Sequence, residues 1–246
     1  MSIFRQQFYD LGICRGDVIL MHSSMKSLGT TFTPMEFLLE LMVAIGTEGT
    51  LLLPALTYEG VTAEKPIFDV TISEPCVGVL TKTFLHMDGV VRSMHPTHSV
   101  CAWGARAVEL TSKHVLDNSP VGPNSPFMQL AEVGGKLLFL GDVLHACTFM
   151  HGIEEIVGAP YTLNKEQTVY TLIDKEGTAH EKMYFTHNFK GWEQEYGRIR
   201  NILTHPDIQT GKIGNADCTL IDANKLKSAA TKKFKEDIHA FVSKIV

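Results

Sequence analysis

The chain has 246 residues, 44% hydrophobic and 20% charged, which is ordinary globular composition with no low-complexity tract. A net charge of -5 without a Lys/Arg cluster offers no footprint for nucleic acid or an anionic membrane surface, and besides favouring solubility it mildly suits cationic substrates. Five widely spaced cysteines with no C-x-x-C pair argue against disulfides and zinc ribbons, and no apolar run is long enough to span a bilayer. With no apolar leader-like region at the start, the expectation is a cytoplasmic protein, one α/β domain over 1–246.

In chain order, residues 3–11 read as a short helix closed by Gly12, and DVILMH over 17–22 as a buried strand running into the loop SSMKSLGTTF. Thr33-Pro34-Met35-Glu36 is a capping box with proline at the first helical position, predicting a helix over 34–45. TLLLP is a second buried strand, so strand, loop, helix and strand form the unit that builds a parallel sheet. Residues 55–75 read as loop, 77–87 as helix, and VVRSMHPTHSVCAW as two short strands around a turn. Ser125-Pro126 caps a helix to about 133, KLLFLG is a third buried strand, and a helix follows over 149–157. VYTLI and HEKMYF flank a turn over 174–177, a hairpin expected to join the sheet. A last helix starts near 223, with Leu226, Phe234, Ile238, Phe241 and Ile245 as its stripe. The fold class is α/β: a mixed central sheet with flanking helices and an antiparallel hairpin addition.

Three segments carry chemistry. The hydroxyl-rich loop His22-Ser23-Ser24-Met25-Lys26-Ser27-Leu28-Gly29 follows a strand's carboxyl end, where ligands favour open α/β sheets. It matches neither a P-loop nor a dinucleotide fingerprint, so it reads as a phosphate or pantetheine cradle or as a simple connection. Arg92-Ser93-Met94-His95-Pro96-Thr97-His98-Ser99 packs a guanidinium, two imidazoles and hydroxyls into one turn, which suits an anion. It could equally be structural, and two histidines without a third ligand are thin support for zinc. In Thr148-Phe149-Met150-His151-Gly152-Ile153-Glu154-Glu155, His151 and Glu154 stand three apart on a helix, either a base with its orienting carboxylate or a surface pair. H-x-x-E-E is near the zinc-protease motif H-x-x-E-H but has Glu155 where the second histidine is needed. Cys147, four residues before His151, is open as a thiol nucleophile or as a core thiol.

Taken together, the ordered segments LGICRGDVILMHSSMKSLG, TLLLPALTY, VVRSMHPTHSVCAWGARA, NSPFMQL, GGKLLFLG, TFMHGIEE and GKIGNADCTLI resemble the aminoglycoside 3-N-acetyltransferase family across nearly the whole chain. The resemblance implies acetyl-CoA as donor, direct transfer to a small-molecule amine, no metal, and a fold unlike the GCN5-related acetyltransferases, whose R/Q-x-x-G-x-G/A loop is absent here. It assigns Ser23, Ser24, Lys26, Ser27, Leu28, Gly29, Arg92, Ser93 and His98 to the CoA site, His151 to the general base and Glu154 to its carboxylate. The stretch between Pro54 and Arg92 is shorter than in resistance enzymes, leaving Glu59 and Asp69, with Glu193 further on, as the expected contacts for substrate ammonium groups. The rival readings are a CoA-binding module without transfer activity, and a thiol acyltransferase or hydrolase using Cys147 with His151. Monomer and homodimer are both compatible with the sequence.

Overall fold

The computed structural model describes residues 3–29 and 32–245, so Thr30 and Thr31 of the predicted loop lie outside the described residues. Along the chain run α1 (Ile3–Asp10), β1 (Val18–Ser23), α2 (Pro34–Ile45), β2 (Thr50–Pro54), β3 (Ile67–Asp69), α3 (Val79–Leu85), β4 (Val91–Arg92) and β5 (Val100–Gly104). There follow α4 (Ala107–Thr111), α5 (Pro126–Glu132), β6 (Lys136–Leu140), α6 (Thr148–Val157), β7 (Thr168–Ile173), β8 (Ala179–Tyr184), β9 (Trp192–Gln194), β10 (Ile208–Ile213), β11 (Ala216–Asp222), α7 (Ala223–Glu236) and β12 (Val242–Lys244).

The central sheet has seven strands in the order β10-β11-β6-β1-β2-β5-β4, with β1 parallel to both neighbours and the outer pairings antiparallel. Its middle strands hold continuous apolar runs, VILM in β1, LLL in β2 and LLFL in β6, because both faces are covered. Val18 and Leu20 of β1, with Leu137 and Phe139 of β6, enter one core, which α4 to α7 cover. Ile19 and Met21, with Leu138 and Leu140, enter the opposite core, under α1 to α3. The strand period of two thus sorts one continuous apolar run into two packed layers.

Local chemistry sets the helix starts. The Thr33 side chain accepts from Glu36 N while the Glu36 carboxylate accepts from Thr33 N, the full capping box. Ser125 caps α5 by accepting from Met128 N, and Asp222 caps α7 by accepting from Lys225 N.

The structure corrects three expectations. The hairpin of β7 and β8 forms, its turn held by Asp174 Oδ1 accepting from Glu176 N and Thr178 N, but it pairs with β3 in a separate three-stranded sheet. Its own core of Phe68, Tyr170, Leu172 and Tyr184 satisfies its apolar face, and the antiparallel addition to the central sheet is β10 with β11. The segment read as loop over 55–75 contains β3, whose three residues are too few to show periodicity. The last helix ends at Glu236, and Val242–Lys244 turns back as β12 against β9.

Candidate functional site

A cleft of about 580 Å³ opens at the carboxyl ends of the central parallel strands. The end of β1 contributes His22 and Ser23, and the segment after β2 contributes Leu56 and Tyr58. The turn before β5 supplies His98, the turn after β6 supplies Val143, His145 and Ala146, and α6 presents Thr148 and His151. The opposite wall comes from beyond the hairpin: His187, Phe189, Gln194 and Tyr196.

His151 lies in the second half of the first turn of α6, and Glu154 lies one turn on, fully buried. Tyr196 Oη stands 2.7 Å from His151 Nδ1 and 2.9 Å from Glu154 Oε2, while the direct His151 Nδ1 to Glu154 Oε2 distance is 3.3 Å. A phenol has one proton to give. With the phenol O–H donating to Glu154 Oε2, Nδ1–H donates to the phenol oxygen, all three groups are satisfied, and Nε2 is left with its lone pair for the cleft. The Tyr161 hydroxyl adds an approach of 3.5 Å to Glu154 Oε1 and donates to Ile238 O at 3.1 Å. Burial and the neighbouring carboxylate push the Tyr196 phenol well above its ordinary range, so it stays a proton donor.

Around His151 the cleft is rich in imidazole. His187 packs its ring 4.7 Å from that of His151 and 4.7 Å from that of His98, and Phe189 covers both His151 and His187. Burial holds His98 and His187 well below the usual imidazole range and takes His22 down to about 3, so these rings are neutral. His95 sits behind His98, and its Nδ1 accepts from the backbone N–H groups of Thr97 and His98 while Nε2 meets Ser119 O at 3.1 Å. Both nitrogens are therefore spent on holding the turn, and His95 has none to offer a metal.

A family model for aminoglycoside 3-N-acetyltransferase matches residues 20–235. The chain belongs to the aminoglycoside 3-N-acetyltransferase family. Aminoglycoside N(3)-acetyltransferase IX of Micromonospora chalcea is 28% identical over 252 residues, covering 90% of this chain and 88% of that one. Aminoglycoside N(3)-acetyltransferase VII of Streptomyces paromomycinus is 33% identical over 168 residues, but the match spans only 61% of this chain and 58% of that relative. Among solved structures, the binary complex of AAC-IIIb with CoASH superposes with a TM-score of 0.81 at 25% identity, over 95% of each chain.

For a member of this acetyltransferase family, the expected CoA-site residues divide. Ser23 and His98 line the cleft together with His151. Ser24, Ser27 and Leu28 shape the loop: Ser24 N donates to Leu140 O, Ser27 N and Oγ both donate to Ser24 O, and Leu28 is buried. Gly29 ends that turn at φ 61, in contact range of Asn215, and Lys26 is exposed beside it. Arg92 and Ser93 lie elsewhere. Arg92 Nε donates to Ser99 Oγ, its terminal nitrogens donate to Ser73 O at 2.6 Å and Ala55 O at 3.2 Å, and the guanidinium lies over Phe68. Those donors tie the central sheet to the satellite sheet, which leaves no fork for a phosphate. Ser93 is 1% exposed and bonds inward, to Val100 N and His114 Nδ1.

The expected ammonium contacts do not converge on the cleft either. Glu59 and Glu193 are exposed outside its walls, and Asp69 is occupied with Thr71 and Ile72 in a local turn. Cys147 is fully buried and its thiol is pushed up to about 12 by that burial, so it is a core thiol rather than a nucleophile. Sequence reasoning passed over Tyr196, His187, Phe189 and Gln194. The segment HNFKGWEQEYGRIR holds the expected contact Glu193, whereas its His187, Phe189, Gln194 and Tyr196 are the side chains that reach the cleft.

Proposed function

We propose that this chain is an acetyl-CoA-dependent N-acetyltransferase that acylates an amine of an aminoglycoside or related amino sugar, by direct transfer with His151 as general base and Glu154 as its orienting carboxylate. The observation that carries it is the Tyr196 bridge, which fixes Nδ1 of His151 and leaves Nε2 to a cleft that also holds Ser23. The amine nitrogen attacks the thioester carbonyl carbon as Nε2 accepts a proton from it. Glu154 stabilises the resulting imidazolium, and that proton leaves with the sulfur when the C–S bond breaks. General-base assistance of this kind is worth ~10²–10⁴ in rate. CoA is read onto Ser23, His98 and the loop of Ser24, Lys26, Ser27, Leu28 and Gly29 from the family membership and from the CoA-bound relative.

His151→Ala tests the assignment. Calorimetry should give an acetyl-CoA affinity close to that of the parent protein. Free-thiol release with kanamycin-type and apramycin-type aminoglycosides, simple amino sugars and polyamines should fall at least about a hundredfold. Turnover unchanged in the variant removes His151 from the mechanism, and a parent protein that binds acetyl-CoA but acylates no amine is a binding module instead.

A further inference from the structure

Helix α6 carries two adjacent carboxylates, and only the first serves His151. The second, Glu155, faces His187: Oε1 lies 3.0 Å from His187 Nε2, and the same carboxylate accepts from Ser119 Oγ at 2.6 Å and Val121 N at 2.9 Å. Both side chains are almost enclosed, at 10% exposure for His187 and 6% for Glu155, yet His187 lines the cleft beside His151. With Nε2–H committed to Glu155, Nδ1 is the nitrogen His187 has left to offer a substrate.

We infer that His187 is a second catalytic base in this cleft, taking a proton from the acceptor's ammonium group and handing one to Glu155. This rests on the proposed amine acetylation and supplies what it needs. An alkylammonium has no lone pair, so it must lose one proton before attack and another as the amide forms. His151, with Nδ1 held by Tyr196, has one nitrogen free and can take only one of them.

The transfer balances without a further reagent. An N–H bond of the ammonium breaks and its electron pair stays on nitrogen as Nδ1–H forms, while Nε2–H breaks as an O–H bond forms on Glu155. His187 ends neutral with its proton on the other nitrogen, and Glu155 ends as the acid. Burial supports the carboxyl as the resting place: Glu155 is raised to about 7, whereas His187 is held well below the ordinary imidazole range. The titratable groups facing His187 are His151 and Glu155 from α6 and His98 from the turn before β5, with His95 behind it; Phe189 packs against another part of the ring.

The test is kcat against pH for the full chain, with Glu155→Gln and with His187→Phe, which keeps the ring packing but removes the acceptor nitrogen. Both variants should lose about tenfold or more near neutral pH, where the acceptor is an ammonium ion, and recover as pH rises past the acceptor's own pKa. A deficit equal at every pH, or no deficit, overturns the relay. If the parent protein acylates no amine, the acetyl-transfer reading fails separately, and infrared spectroscopy then decides this one. A carboxylic-acid carbonyl band titrating near neutral pH and absent from Glu155→Gln supports proton storage on Glu155, and a parent protein without that band overturns it.

Discussion

Tyr196→Phe removes one oxygen and keeps the ring, which packs 5.4 Å from that of His151. The oxygen is the shared partner of His151 Nδ1 at 2.7 Å and Glu154 Oε2 at 2.9 Å, so its loss leaves the longer 3.3 Å contact as the sole restraint between base and carboxylate. A hydrogen bond to a charged group contributes about 1.5–3 kcal/mol, and the phenol's bond to the His151–Glu154 pair strengthens as the imidazolium forms. Losing that much in the transition state lowers kcat roughly ten- to a hundredfold, at about 1.4 kcal/mol per factor of ten. KM for acetyl-CoA should move little, because the Tyr196 hydroxyl bonds His151 and Glu154 and, among the described residues, none of the Ser23 loop. Initial rates of thiol release at saturating donor read kcat, and a thermal melt in parallel reads the stability cost of taking one hydrogen bond from a buried carboxylate. A kcat within a factor of two of the parent value, whatever the melt shows, refutes the bridge as part of the base.

Arg92→Ala should leave acetyl-CoA affinity almost unchanged in calorimetry while lowering the melting temperature sharply. It removes the charged donor from Ser73 O and one of two donors from Ala55 O, which keeps its bond from Ser99 Oγ, and a hydrogen bond to a charged group contributes about 1.5–3 kcal/mol; a large loss of affinity with unaltered stability would return Arg92 to the phosphate site. Cys147→Ala should keep turnover within a few-fold, since the thiol is buried and protonated, and abolished turnover in a folded variant would restore the nucleophile. Stability should fall on acidification. His22 and His114 drop from 6.5 to about 3 in the fold, and His95, His98 and His187 shift the same way, so between those values the folded chain binds fewer protons than the unfolded chain. Their contribution is complete above pH 6.5 and is lost as pH falls toward 3, whereas Glu155, raised from 4.5 to about 7, acts with the opposite sign between those two values. Five histidines against that carboxyl predict a melting temperature that declines from pH 7 to pH 5, and a flat or rising curve counts against their neutrality in the fold.

The central sheet was legible because β1, β2 and β6 are unbroken apolar runs bounded by turn residues, and because Thr33 and Ser125 announce their helices through side-chain caps. The satellite sheet was not, since a three-residue strand such as β3 has no period and its partner is 104 residues away in sequence, Ile67 facing Thr171. At the site, Ser23, His151 and Glu154 could be placed because Ser23 closes β1 and the other two stand three apart on one face of α6. Arg92 misled for a physical reason: a guanidinium suited to two phosphate oxygens is equally suited to two backbone carbonyls, and only packing tells them apart. Tyr196 and His187 follow irregular chain, where spacing carries no information about facing.

The two walls of the cleft belong to different frameworks. The wall with Ser23, Thr148 and His151 grows from the central sheet and its α6, while that with His187, Phe189, Gln194 and Tyr196 hangs on the chain that runs from the end of the β7–β8 hairpin through β9. A change in length or composition in that chain alters what the cleft accepts without disturbing β1 and α6, which carry Ser23 and His151. Acceptor preference in such a molecule can therefore diverge through Phe189, Gln194 and their connecting chain, provided His187 and Tyr196 keep their bonds to Glu155 and Glu154.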